Sequence, residues 1–213
     1  MVTIYFIRHG QSEANSQGII QGHAEFPLSS LGEKQAAQVG KWMANIHLNE
    51  IFTSDLQRAQ LTAEEIGKHH SLSVKPWDMV REVGLGPLEG KTRKQMSVDF
   101  PELKQDALLT SGIDGTETVE AVTKRCADLV QQLTSAYDDK TVAIISHGGF
   151  ISIMLMYLIT GEQWHSFKRP FVIENTGITK VELREDGAAK FYYTNRMDHF
   201  ANDEKSQSSA VLY

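Results

Sequence analysis

The chain has little that could cross-link it or anchor it in a membrane. Its 213 residues include a single cysteine, Cys126, which excludes an internal disulfide. Cys126 falls at helical spacing with Val122 and Leu129, so we expect a packed thiol. The most apolar stretch, residues 150–159, is far shorter than the roughly 20 residues that span a bilayer. The apolar run 2–7 is too short for a signal peptide, so we expect a cytoplasmic protein with no membrane partner.

Two common motifs of phosphate and metal chemistry are also missing. The sequence contains no Gly-x-x-x-x-Gly-Lys-Ser/Thr loop, and its eight histidines show no His-Glu-x-x-His spacing. We therefore expect neither a metal site nor a cofactor. The net charge of −6 argues against nucleic acid as a partner. With 41% hydrophobic and 23% charged residues, the composition is that of a globular protein, either a monomer or a homodimer.

Strand and helix patterns alternate along most of the chain. They predict an α/β three-layer sandwich, in which a mostly parallel sheet is flanked by helices within one domain, residues 1–213. Residues 85–115 break this rhythm with glycines and prolines and are predicted to form a small helical cap. The polar tail 201–213 is expected to be flexible. The predicted strands are 2–7, 50–53, 141–146, 171–174, 178–183 and 190–194, with extended chain at 73–74 and 79–80, and the predicted helices are 31–44, 56–69, 118–137 and 149–158.

Two histidines follow directly on predicted strands. The first strand ends in Arg8-His9-Gly10, and the strand 141–146 leads into His147-Gly148. Ligands of open α/β sheets bind at the carboxyl ends of the strands. Two imidazoles at that edge suggest phosphoryl transfer through a covalent histidine intermediate, and the chemistry alone does not choose between His9 and His147 as nucleophile.

The order of several motifs resembles the histidine phosphatase superfamily, which includes the cofactor-dependent phosphoglycerate mutases. The matching segments run in the family's order from residue 2 to about residue 160. They are Arg8-His9-Gly10 with Ser12 and Asn15, Gln21-Gly22, residues 54–59 with Arg58, Arg81-Glu82 with Gly84, Gly115 with Glu117-Thr118, and Ser146-His147-Gly148.

This resemblance implies a phosphatase and gives each residue a role. His9 would be the nucleophile, while Arg8, Arg58 and His147 would hold the charge spread over the phosphoryl oxygens. The substrate would be a small phosphorylated molecule. Further binding groups would come from Gly10, Ser12, Asn15, Gln21, Gly22 and Gly148.

Departure of the alcohol requires a proton from a carboxylic acid near the phosphate. Glu82 fits this role because it precedes Gly84 in a loop that leads into the predicted cap. Asp55, Glu89 and Glu13 are the competing acids, although Asp55 could instead cap the helix that carries Arg58.

Two other functions remain open. A mutase would return the phosphoryl group to a second hydroxyl, but mutases of this family usually carry Trp at the place of Ala14 and Asn at that of Gly149. A module that only binds phosphorylated ligands would usually lack His9, Arg58 or Glu82. A metal-independent phosphomonoesterase of the histidine acid type is therefore the favoured prediction. Lys91, Arg93, Lys94 and Lys104 either hold a second anionic group of the substrate or form a solvated surface.

Overall fold

A six-stranded sheet runs through the computed structural model, which describes residues 1–103, 105–168 and 170–200, without the side chains of 105 and 106. The strands are β1 (Val2–Arg8), β2 (Glu50–Thr53), β3 (Val74–Pro76), β4 (Thr141–Ser146), β5 (Ile178–Leu183) and β6 (Ala189–Arg196). Their order is β3-β2-β4-β1-β5-β6. The pairs β3–β2, β2–β4 and β4–β1 are parallel, while β5 and β6 add two antiparallel pairs.

Helices cover both faces of the sheet. They are α1 (Glu13–Gln17), α2 (Ser30–Met43), α3 (Gln57–Gly67), α4 (Arg93–Asp99), α5 (Val119–Ala136) and α6 (Gly148–Thr160). Side chains alternate along β1, so Ile4 and Phe6 pack into one core with α5 and α6. Tyr5 and Ile7 pack on the opposite face with α2 and α3. This arrangement confirms the predicted three-layer fold class.

Three local predictions were wrong. The loop predicted after Arg8 contains α1, which begins in a capping box between Ser12 and Asn15. Residues 79–80 belong to a 3₁₀ turn, Asp78–Val80, and are not extended. Residues 171–174 form no strand, because side chains take their backbone groups: Arg8 donates to the carbonyl of Ile173, and Glu174 N–H donates to Asn195.

The segment predicted as a cap carries short helical elements. These are 3₁₀ turns at Gly86–Leu88 and Gln105–Thr110 on either side of α4. Leu108 and Leu109 from this segment are buried in the core that also contains Leu85. The predicted flexible tail, residues 201–213, lies outside the described residues.

Candidate active site

The sheet register brings the two histidines together. Strands β1 and β4 are parallel neighbours in which Arg8 pairs with Ser146. The next residues, His9 and His147, therefore leave the sheet side by side, and their ring centroids lie 5.1 Å apart. The N–H of His9 still donates to the carbonyl of Ser146, at 2.9 Å. Both side chains are buried.

A hydrogen bond determines which nitrogen of His9 can react. Its Nδ1 lies 2.6 Å from the carbonyl oxygen of Gly10. Because a carbonyl only accepts, Nδ1 carries the hydrogen and the lone pair of the neutral ring is on Nε2. Burial and the positive charges of Arg58 and Arg8 lower the pKa of His9 well below its ordinary value. His9 is therefore neutral near pH 7, with Nε2 ready for nucleophilic attack.

The two arginines are buried beside His9. Arg8 is 2% exposed and donates from Nη1 to the carbonyl of Ile173, at 2.9 Å. Arg58 is fully buried and donates to the carbonyls of Gly22 and Ala24, at 2.8 and 2.9 Å. Burial lowers the pKa of Arg58 to about 10, so its guanidinium group remains charged at neutral pH. The hydrogen bonds of Arg58 to Gly22 and Ala24 go to neutral carbonyls, so they do not neutralise its positive charge.

His147 is buried, and the described residues offer its ring nitrogens no hydrogen bond. Neither ring nitrogen has a hydrogen-bond partner among the described residues, and the same is true of Arg58 Nε. Burial, and then the charge of Arg58, lower the pKa of His147 well below its ordinary value. Native proteins rarely leave such groups unpaired, so a ligand that accepts hydrogen bonds would satisfy Arg58 Nε and the single N–H of the neutral His147 ring.

Glu82 is attached to the first turn of α6. Its Oε1 accepts from the N–H groups of Phe150 and Val83, at 2.7 and 2.9 Å, and its Oε2 accepts from Gly149, at 3.0 Å. A Cβ atom on Gly149 would come within 2.5 Å of Glu82 Oε1, so a larger residue there would have to move the carboxylate. With one hydrogen bond on Oε2 and two on Oε1, Oε2 is the oxygen with room for a proton.

An ion pair that the sequence analysis missed holds the loop carrying Glu82. Arg125 of α5 is paired with Glu117 at 2.7 Å and donates to the carbonyls of Arg81, Met79 and Glu82, at 2.7, 3.2 and 3.4 Å. Its guanidinium carbon also lies 4.3 Å from the centroid of the Phe150 ring. Arg125 thus contacts both the loop that carries Glu82 and the helix turn that binds the Glu82 carboxylate.

The competing acids are engaged elsewhere. Asp55 accepts two hydrogen bonds from Arg81, one of them at 2.6 Å, and these lower the pKa of Asp55. Glu89 accepts from the N–H groups of His23 and Leu85. Glu13 is the first residue of α1. None of the three lines the pocket that contains His9, as far as the described residues go, whereas Glu82 does.

The predicted neutral donors form a small network. Ser12 Oγ accepts from Asn15 N–H, so its hydrogen goes to Gln21 Oε1, at 2.8 Å. Asn15 Oδ1 accepts from Ser12 N–H and from Asn175, at 3.1 and 3.3 Å. Both amide oxygens are occupied, which turns the NH₂ groups of Asn15 and Gln21 into the donors for a pocket ligand. Asn175, which also donates to the carbonyl of His9, was not predicted.

The predicted glycines lie in different places. Gly22 lines the pocket at φ +53°, and a Cβ there would overlap Glu89 Oε1 at 2.2 Å. Gly10 donates its N–H to Thr62 Oγ1, at 3.0 Å, and Gly148 is the buried first residue of α6. Neither of these two belongs to the pocket lining of the described residues, and the same holds for Ser12 and His147.

The pocket above His9 has about 480 Å³ of empty space, its open mouth included. Part of its lining is polar, and part is formed by aliphatic side chains that were not predicted. The lining residues are Arg8, His9, Asn15, Ile19, Ile20, Gln21, Gly22, Arg58, Glu82, Leu85, Leu108, Leu109 and Gly149. Within the described chain, no cluster of three or more His, Cys, Asp or Glu residues could hold a metal ion. No described helix has the length and apolar character needed to cross a bilayer.

This site and fold match a known family. Residues 4–195 match the histidine phosphatase superfamily (branch 1), and the chain belongs to that family. Uncharacterized phosphatase PhoE of Bacillus subtilis is 27% identical over 87% of this chain and 91% of its own length. Probable phosphoglycerate mutase GpmB of Salmonella choleraesuis is 24% identical over 87% of this chain and 86% of its own length.

The same relationship is visible in solved structures. A phosphoserine phosphatase variant from Entamoeba histolytica, in complex with phosphoserine, is 26% identical. The two chains superpose with a TM-score of 0.77 over 94% of this chain and all of that one. The predicted family is confirmed, and the prediction of a phosphatase agrees with these relatives.

Proposed function

We propose that this protein hydrolyses small phosphate monoesters through a phosphohistidine on His9, with Glu82 as proton donor and without a metal ion. The observation that carries the proposal is the protonation and the surroundings of the His9 ring. Its Nδ1–H is held by the carbonyl of Gly10, and its neutral Nε2 lies in a buried site beside two charged arginines. A nucleophile, positive charge and a carboxyl group meet in one pocket.

In the first step, His9 Nε2 attacks phosphorus. The N–P bond forms as the bond between phosphorus and the ester oxygen breaks. Arg8, Arg58 and His147 stabilise the charge on the equatorial oxygens, and Arg58 Nε and the N–H of His147 acquire acceptors in this way. Glu82 Oε2 transfers its proton to the departing alkoxide oxygen.

In the second step, water attacks the phosphohistidine. The Glu82 carboxylate, still held by Phe150 and Gly149 N–H groups, takes the proton of that water. The N–P bond breaks, inorganic phosphate leaves, and both His9 and Glu82 return to their starting states. The cycle uses one ester and one water and yields one alcohol and one phosphate.

Two buried guanidinium groups support a reaction without a metal ion. In metal-dependent phosphoryl transfer, the cation neutralises charge on the transferring group. Arg8 and Arg58 supply positive charge at the same place, on rigid hydrogen bonds to carbonyls.

A phosphoglycerate mutase is the alternative, because GpmB is among the relatives. The lack of space at Gly149 favours the phosphatase. An asparagine there, as mutases of the family usually carry, would displace the Glu82 carboxylate in this chain.

Rapid quenching of the enzyme with ³²P-labelled p-nitrophenyl phosphate, followed by peptide mapping, tests the proposal. We expect acid-labile label on His9 and no turnover in His9→Ala. Label on His147 would contradict the assignment of the nucleophile, and a protein that binds phosphate esters without turnover would be a binding module. With 3-phosphoglycerate and a trace of 2,3-bisphosphoglycerate, isomerisation much faster than phosphate release would identify a mutase.

A further inference from the structure

An apolar wall forms part of the pocket lining. It consists of Ile19, Ile20, Leu85, Leu108 and Leu109. All except Ile19 are at most 4% exposed and belong to the core that α5 and α6 share with the sheet. The wall is therefore built on packed side chains and not on mobile surface groups. Buried aliphatic carbon favours contact with apolar groups of a ligand.

Two arginines provide the positive charge of the described pocket lining. Among the described lining residues, Arg8 and Arg58 are the cations, and both lie at the phosphate site. Lys91, one candidate for holding a second anionic group, is paired with Asp99 at 2.6 Å. Lys91, Arg93 and Lys94 do not line the pocket, and Lys104 lies outside the described residues. Apart from His9, the remaining ionisable residue of the described lining is Glu82, the proposed proton donor, and it offers no positive charge to a second acidic group.

We propose that the preferred substrates are monoesters of uncharged, largely apolar alcohols, and that esters with a carboxylate on the alcohol part are disfavoured. The proposal rests on the proposed function, since it concerns the same pocket. An apolar alcohol covers the wall and displaces water from it. A carboxylate in the same position would lose its hydration without gaining a cation.

A series of linear alkyl phosphates, from ethyl to pentyl phosphate, tests the wall without any mutation. The leaving alcohols are all primary, with similar chemistry, so kcat/KM reports contact with the pocket. We expect kcat/KM to rise about two- to fourfold per methylene until the wall is covered. A flat or falling series would overturn the proposal.

A pair of esters with the same shape isolates the effect of charge. The compounds are 3-methylbutyl phosphate and 3-(phosphonooxy)propanoate, in which a carboxylate replaces the terminal isopropyl group. We expect kcat/KM to favour the apolar ester by at least about tenfold. Equal values, or a preference for the carboxylate, would contradict the proposal and indicate a cation in the pocket.

Two variants test whether the apolar wall causes the dependence of kcat/KM on alkyl chain length. Leu109→Ala should lower the ratio of kcat/KM for pentyl phosphate to that for ethyl phosphate, because the methylenes lose their contact. Val98→Ala is the matched control, since Val98 is apolar, 72% exposed on α4 and not part of the lining. The control should keep the ratio of the unmodified protein. An unchanged ratio in Leu109→Ala, or an equal change in Val98→Ala, would show that contact with the wall does not cause the preference for longer alkyl chains.

The two proposals can fail separately. Phosphohistidine on His9 together with a flat alkyl series would leave the mechanism standing and refute the substrate class. Absence of turnover with every ester, p-nitrophenyl phosphate included, would refute the proposed function itself.

Discussion

The ion pair between Arg125 and Glu117 offers a strong test of how Glu82, the proposed proton donor, is positioned. Arg125→Met keeps much of the length of the side chain and removes the guanidinium. It removes two hydrogen bonds to Glu117, at 2.7 and 2.9 Å, and the donors to the carbonyls of residues 79, 81 and 82. The pair is largely buried, with side-chain exposures of 14% and 18%. Its loss leaves Glu117 without its cation, at a cost of about 3 kcal/mol in the free energy of unfolding.

The effect on catalysis should depend on the leaving group. A general acid contributes about 10²–10⁴-fold, but only where the departing oxygen needs a proton. If Arg125 acts by holding Glu82, then Arg125→Met should lower kcat/KM for butyl phosphate by about 10- to 100-fold. For p-nitrophenyl phosphate, whose phenolate leaves without a proton, the loss should be a few-fold at most. Glu82→Gln should show the same selectivity, with a larger loss.

The ratio of the two kcat/KM values is the measured quantity, because any inactive or unfolded fraction cancels in it. Urea unfolding checks that the variant is folded under the assay conditions. Lys124→Met is the matched control: Lys124 is the preceding residue of α5, and its ion pair with Asp128 lies on the surface. This control should leave the ratio unchanged, as expected for an exposed pair.

A double-mutant cycle decides whether Arg125 acts through Glu82. Combined with Glu82→Gln, Arg125→Met should cause no further loss on butyl phosphate, because the acid is already absent. Equal losses on both substrates, or losses that add in the double variant, would refute the reasoning and make Arg125 a general stabiliser of the fold.

Four other predictions concern single features of the site. The free energy of unfolding should fall from pH 7 to pH 5, because burial lowers the pKa of His9 and His147 and the unfolded chain binds more protons below about pH 6.5. Each histidine changes the free energy of unfolding by at most about 1.4 kcal/mol per pH unit. Urea unfolding of His147→Gln at several pH values should show a smaller dependence of this free energy on pH. An unchanged dependence would count against the two histidines as its cause. Gly149→Ala should lower kcat/KM for alkyl phosphates at least about tenfold, because its Cβ would meet Glu82 Oε1 at 2.5 Å; full activity would mean that the carboxylate can act from another position. Asp55→Asn should leave the ratio of kcat/KM for alkyl phosphates to kcat/KM for aryl phosphates unchanged. A large fall in that ratio would indicate that Asp55 is the proton donor. Turnover should persist after dialysis against a chelator, whereas activity restored only by Mg²⁺ or Mn²⁺ would refute the metal-free mechanism.

Local sequence patterns were sufficient to predict the two strands that precede His9 and His147. The apolar runs before Arg8-His9 and before His147 are short, continuous and bounded by glycine, which is the pattern of a strand buried on both faces. Parallel strands deliver their carboxyl ends to one edge, so the pattern placed His9 and His147 at the same edge. Their direct proximity came from the pairing of β1 with β4. The order of the remaining motifs was enough to indicate the family.

Contacts between segments that are distant in the sequence determined the features that local patterns did not predict. Glu82 is held by N–H groups 67 and 68 positions later in the chain, and Arg125 reaches carbonyls 43 to 46 positions earlier. Residues 171–174 have the composition of a strand, but Arg8 and Asn195 take backbone groups that a neighbouring strand would need. Periodicity describes which face of an element is apolar, whereas the partner of a single polar atom depends on how elements meet in space. The reactive nitrogen of His9, the support of Glu82 and the apolar wall of the pocket are therefore properties of the tertiary structure.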